Sequence, residues 1–333
     1  MSFVIGINEH FLSVEEKQLI KDIRYLTEKN NLDNISRTNC YLEYYTMNKE
    51  IHWSFLASLV SRNAGWNMCD LAGTWFPLSL NEQTRLNLFA TYERANWMIF
   101  QDAYPQLLLY EYSTKKNVPM FHLLQYFSVS TFMEKEWLHF WRYKNKERLV
   151  YSLIINEQNV IENPIIKNKL FQKEVFHTLA YRFQDLLRFS SVFFPTLNGD
   201  IYGRSVSSFR SLDRRIELGK ELYTILFQKN LHPIFLEFAL KVVHTGSRAD
   251  YEKYVYPKHR NNTPMLRMSY PVMTQKPFTS VDWSKTTKVK AKWKKHARPF
   301  KEAILITDWY KNKQEQLHKL IKLETIILYW KKR

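Results

Sequence analysis

Two short polar stretches hold most of the residues in this sequence that could do chemistry. Ser61-Arg62-Asn63-Ala64-Gly65-Trp66-Asn67-Met68-Cys69-Asp70 gathers Arg62, Asn63, Asn67 and Asp70. His244-Thr245-Gly246-Ser247-Arg248-Ala249-Asp250-Tyr251 gathers His244, Arg248 and Asp250. A guanidinium beside two amides and a carboxylate suits an anionic or amide-bearing ligand. A histidine, an arginine and an aspartate around a flexible glycine could move protons or hold developing charge. If the two stretches met in space they would form one polar site. The plainer reading of each is a hydrogen-bonded helix end or loop that satisfies its own backbone groups.

A third cluster is electrostatic. Residues 251–333 hold 20 Lys and Arg against 6 Asp and Glu, whereas residues 1–250 hold 29 against 26, so the net charge of +17 resides mostly in the tail. Its densest part, Trp283 to Arg298, contains Lys285, Lys288, Lys290, Lys292, Lys294, Lys295 and Arg298, with Trp283 and Trp293 interleaved. Cations fix phosphates, and aromatic rings stack on bases or sit at a lipid interface, so nucleic acid or another anionic surface is the expected partner of residues 255–298. The competing reading is a basic connector whose tryptophans dock on the body.

Other chemistries find less support. Three Glu-x-x-His pairs (Glu136/His139, Glu174/His177, Glu315/His318), with Glu93 and Glu111 as lone carboxylates, have the side-chain types of a di-metal helical bundle. The first two pairs follow each other too closely to admit the helix such a bundle needs between them, and no metal is expected. There is no G-x-S-x-G elbow and no G-x-G-x-x-G or G-x-x-x-x-G-K-[ST] loop, so no nucleotide cofactor of those kinds is expected. Cys40 and Cys69 are too few for a disulfide framework. Arg204, Arg210, Arg214 and Arg215 form a weaker basic cluster, expected to pair with Asp213 and Glu217.

Helices must position these residues. Only 7 glycines occur in 333 residues, which argues against turn-rich β folds and glycine-dependent phosphate loops. Ser13/Glu16, Ser79/Glu82 and Thr131/Glu134 read as capping boxes. Residues 36–47, 51–64, 170–190, 208–229 and 233–245 read as helices, the second of these closing at a left-handed Gly65. Pro105 suits the first turn of a new helix. Residues 148–156 fit helix or strand, and Asn198-Gly199-Asp200 marks a turn with a short hairpin near Ile201. Residues 119–127 form a further short element, and 299–329 a final helix. Prolines crowd the stretch after Tyr254, so 255–296 is expected to be extended and partly ordered. No run of 18 apolar residues and no signal-like N-terminus is seen, so a cytoplasmic chain is expected.

Several segments are also familiar. Ile51 to Met68, Glu93-Arg94-Ala95-Asn96-Trp97, Asp102-Ala103-Tyr104-Pro105-Gln106 and His244 to Tyr251 resemble the YppC-like family, a bacterial domain family of unknown function from spore-forming bacilli. The resemblance spans roughly residues 30–310. It implies a cytosolic bacterial protein and carries no activity, cofactor or catalytic residue. The resulting expectation is an all-α chain of about ten to twelve helices. A body (1–254), a basic extended segment (255–298) and a C-terminal helix (299–333) packed on the body would make up the chain. Its leading function is a binding protein whose tail meets a polyanion. The alternative is an enzyme or small-ligand protein using the 61–70 and 244–250 stretches.

Overall fold

The computed structural model describes residues 12–169, 191–205, 210–257, 263–276, 281–300 and 303–331. The predicted 170–190 helix, with its Glu174/His177 pair, lies outside them. The described chain is predominantly all-α and forms a single domain. Its order is α1 (Val14–Asn30), α2 (Asn34–Met47), α3 (His52–Asp70), α4 (Phe76–Ser79), α5 (Glu82–Lys116), α6 (Thr131–Tyr143) and α7 (Lys146–Ile161). A hairpin of β1 (Ser191–Pro195) and β2 (Ile201–Ser205) follows. Then come α8 (Leu212–Leu226), α9 (His232–Lys241), α10 (Ala249–Val255), α11 (Leu266–Ser269) and α12 (Thr307–Lys331).

The start of each helix follows local chemistry. Ser13 and Glu16 make the expected reciprocal capping box on α1. At α5 the cap is Asn81, whose side chain accepts from Thr84 N, because Ser79 is already spent as the last residue of the short α4. At α6 the cap moves to Ser130, which accepts from Met133 N. Thr131 gives its amide instead to Asp282 Oδ2 at 3.1 Å. Asn117 and Lys144 end α5 and α6 in the left-handed conformation.

Two expected boundaries do not exist. Pro105 sits inside α5, a 35-residue rod about 50 Å long. It is buried there, and the packing of its neighbours Tyr104, Leu107 and Tyr110 outweighs the backbone hydrogen bond a proline forfeits. Gly65 does not end α3 either. The helix runs on to Asp70, and Gly65 is helical because its missing side chain is what brings α2 and residue 244 close. A Cβ there would stand 2.4 Å from Asn34 Oδ1 and 2.8 Å from His244 Nε2.

Helix α3 lies at the centre of the molecule. It is wrapped by α2, α5, α7 and α8, and most of its residues are buried. Tyr41 packs edge-on against Trp53 and tilted against Phe100, while Phe55 stacks on Tyr45 and meets Phe227 edge-on. Across α2 and α5, Arg37 meets Glu93 at 2.6 Å, both nearly fully buried. The hairpin pairs Ser191 with Ser205 through Pro195 with Ile201. Residues just before α12 lie along its outer edge: Gly203 N donates to Ile304 O (3.0 Å) and Ile306 N to Ile201 O (2.8 Å). Gly203 has φ +155, and any Cβ would strike Val192 O.

Gly65→Ala tests the close approach. Alanine would gain about 1 kcal/mol of helix propensity. Asn34 is held by two bonds to Ser61 and His244 is held by Asn34, so neither can swing aside. Overpacking then costs about 1–3 kcal/mol and prevails, lowering the urea midpoint.

Candidate functional site

The 61–70 and 244–250 stretches do meet. Helix α3 presents Arg62, Asn63, Trp66, Asn67 and Asp70 toward the α9–α10 connection. Arg248, at the start of α10, donates from Nε to Asp70 Oδ2 at 2.5 Å and from Nη2 to Asn67 Oδ1 at 2.9 Å. Asp250 accepts from Trp66 Nε1 (3.2 Å), Thr245 N (3.0 Å) and Thr245 Oγ1 (2.5 Å). Asn63 is bidentate on the hairpin: its Oδ1 accepts from Phe193 N at 2.7 Å and its Nδ2 donates to Phe193 O at 2.8 Å. Arg62 donates from Nη2 to Ala239 O at 2.8 Å, near the end of α9.

Protonation follows from these partners. Asn34 Nδ2 donates to Ser61, so its Oδ1 must accept, and His244 carries its proton on Nε2, 2.8 Å away. Burial outweighs the nearby Asp250 carboxylate and holds the His244 pKa below its ordinary value, leaving the ring neutral. Its Nδ1 stands 3.4 Å from Asp250 Oδ2. Burial works to raise the Asp250 pKa, but the Thr245 donors around it bring it below the ordinary value. Arg248 continues into a directional chain. It donates to the Tyr251 hydroxyl, Tyr251 meets Tyr310 at 2.8 Å, and Tyr310 donates to Glu252. The direction is fixed because a guanidinium only donates and a carboxylate only accepts.

Arg62, Asn63, Asn67, His244, Arg248 and Asp250 are more than nine-tenths buried, and Asp70 is half-buried. Their polar atoms are turned on one another, which ties α3, the hairpin, α9, α10 and α12 together. Two donors stand apart: Arg62 Nε and Nη1 are buried with no partner among the described residues.

The basic segment takes a different form. Residues 281–300 cross the body as a strap with two short turns, Trp283–Lys285 and Ala291–Lys294. Trp283 packs on Phe132 and donates from Nε1 to Asn156 Oδ1 at 2.8 Å. Trp293, grouped with the cations as a polyanion contact in the sequence, sits differently from them. It is buried, and its indole N–H goes to Asp213 Oδ1 at 2.7 Å, so neither ring is offered to a base.

The cations stay outside. Lys290 and Lys292 both bind Asp213 (2.9 and 2.6 Å), and Lys294 joins Arg148 on Glu136 (3.1 and 2.7 Å). Burial tends to raise the Asp213 pKa, but Lys292, Lys290 and Trp293 pull it down to about 2. Lys285, Lys288, Lys295 and Arg298 are exposed. The expected pairing of Arg215 is also different: it binds Glu162 because α8 lies beside α7, while Arg204 binds Glu221 because α8 also lies beside β2.

Of the Glu-x-x-His pairs, Glu136 is taken by cations, His139 lies against Tyr143, and His318 stacks on Trp75. Among the described residues no three His, Cys, Asp or Glu side chains gather as a metal site. No helix among them is long and apolar enough to cross a membrane. Both cysteines are free; burial raises both thiol pKa values, that of Cys40 to about 12.

One polar group had no part in the sequence-derived sites. Asp102 lies buried in α5, with its pKa pushed by burial up to about 7. The signal was present: it is a lone carboxylate in the apolar run from Trp97 to Leu109.

Arg248→Met should destabilise the protein by about 3 kcal/mol. That is the low end for opening a buried ion pair, because Asp70 keeps partial access to water. Chemical denaturation of the variant and the parent measures it.

A family model described as "Protein of unknown function (DUF2515)" matches residues 29–311. An uncharacterized protein, YppC, of Bacillus subtilis (strain 168) is 47% identical over 320 residues, covering 94% of this chain and 98% of its own. No solved structure matches. With the match spanning the buried α3 network and the whole strap, the chain belongs to this family of proteins of unknown function.

Proposed function

We propose that the strap, residues 281–300, is a face through which the protein contacts a polyanion, with a nucleic-acid backbone as the form to test first. One observation carries this reading. The carboxylates Asp213 and Glu136 are each shared by two cations, so both of these sites leave a surplus positive charge on this face. Lys285, Lys288 and Lys295 add exposed charge along the same path. The docked tryptophans hold these cations on an ordered path, which limits the entropy lost on binding. Since both rings are buried, contact would be to phosphates and independent of sequence.

A second reading keeps the 61–70 and 244–250 stretches as a polar ligand site. It is favoured by the two unpartnered donors of Arg62. Acetate, as a probe, would then raise the melting temperature of the parent protein and leave Arg62→Met unchanged; no shift in the parent ends this reading.

For the strap, a labelled mixed-sequence duplex is titrated at increasing KCl. Binding should weaken steeply with salt. The combined variant Lys285→Gln, Lys288→Gln, Lys295→Gln and Arg298→Gln should reduce the log–log slope by about 3–4 with its melting temperature preserved. An unchanged slope, or no binding to either duplex or anionic vesicles at low salt, would overturn the proposal. Binding to the vesicles alone would keep the polyanion reading and replace its partner.

A further inference from the structure

Beneath the strap lies a cavity of about 430 Å³ between α5, α7 and residues 281–286. That volume falls within the range of small-molecule sites. Asp102, Asn159 and Asn163 line it together with Val160, Pro164 and Trp283. Asp282 lies on the same wall, and none of the lining residues is Lys, Arg or His.

The Asp102 carboxyl is held in a particular way. Trp137 Nε1 donates to Gln106 Oε1 (2.8 Å), which turns the Gln106 NH₂ toward Asp102 Oδ2 at 2.7 Å. Trp283 Nε1 and Ser130 Oγ donate to Asn156 Oδ1, which turns the Asn156 NH₂ to the same oxygen at 2.5 Å. An indole can only donate, so both amide orientations are fixed. Oδ2 is therefore fully occupied. Oδ1 takes no hydrogen bond from any described residue, although Asp102 is only 9% exposed. Asp102, nine-tenths buried, thus lines the cavity with one of its two carboxyl oxygens unpartnered.

We propose that this cavity binds a small organic amine, whose ammonium sits against Asp102 Oδ1 while its carbon skeleton lies along Trp283, Val160 and Pro164. A cation is favoured because the wall carries two carboxyls and no basic group; the nearby lysines Lys285 and Lys288 are exposed to solvent. The ammonium supplies the donor that Oδ1 lacks, and the apolar wall takes the chain. This site is independent of the polyanion face on the outside of the strap.

Binding is linked to protons. Burial raises the Asp102 pKa to about 7. The titratable groups around it are Tyr41 from α2, Glu157 from α7 (itself raised by burial to about 7) and Asp282 from the strap. None of these supplies a positive charge. An ammonium selects the ionised carboxylate, so affinity is full above the Asp102 pKa and falls as pH drops through it. For a pKa near 7 the loss from pH 8 to pH 6 is about tenfold.

The experiment is isothermal titration of the full chain with ethanolamine and putrescine at pH 8 and pH 6, with acetate and glycerol alongside. Either amine should bind at pH 8, about tenfold more weakly at pH 6, with proton release near pH 7. Asp102→Asn should abolish both binding and its pH dependence while the far-ultraviolet circular dichroism is kept. Asn163→Trp, which fills the cavity from its rim and leaves the carboxyl untouched, should also block binding. Absence of amine binding at millimolar concentration overturns the proposal, as does binding that survives both variants. Glycerol or acetate binding that depends equally on Asp102 overturns the assignment to an amine.

Discussion

A helix with no solvent-facing side must satisfy its polar groups from within the protein, and α3 is such a helix. An unpaired buried amide or guanidinium costs about as much as a small protein can spare, so most polar residues of α3 reach to another element, with two donors of Arg62 left over. Asn63 takes both backbone groups of Phe193 and so sets the hairpin. Arg62 holds the end of α9, while Asn67 and Asp70 hold Arg248 and with it α10. Ser58 and Ser61 bond to Thr38 and Asn34 on α2, and Trp53 to Glu157 on α7. The polar residues that look most like an active site in sequence are the joints of the architecture.

The same logic operates one layer out. The amides of Gln106 and Asn156 have no preference of their own for either orientation. Two indoles, Trp137 from α6 and Trp283 from the strap, decide it. Asp102 therefore receives two donors on one oxygen even though desolvation keeps its proton affinity high. The hydrogen bonds alone would favour the ionised form, and burial prevails.

Much of this was legible in the chain. Scarce glycine and repeated caps gave an all-α fold. The Asn198-Gly199 turn marked the hairpin, and the charge asymmetry marked the strap. What sequence could not supply was long-range packing. Gly65 reads as a stop signal because left-handed glycine ends many helices. Only the approach of Asn34 and His244 shows that it is there for its small size. Pro105 reads as a start because helix interiors normally reject proline, and the core around α5 overrides that preference. The caps at Asn81 and Ser130 differ from the expected ones by one or two residues, since neighbouring side chains compete for the same amide. The meeting of the 61–70 and 244–250 stretches rests on contacts about 180 residues apart, which no local pattern encodes.

The strap's two indole anchors also have a kinetic meaning. Trp283 bonds a residue 127 positions away and Trp293 one 80 positions away. Neither contact can form until α7 and α8 offer a finished surface, and each closes a long loop when it does. Docking is therefore a late event in folding, and release of the strap is a low-order opening that need not disturb α3. Strap contacts then govern how long the native state persists more than how fast it is reached.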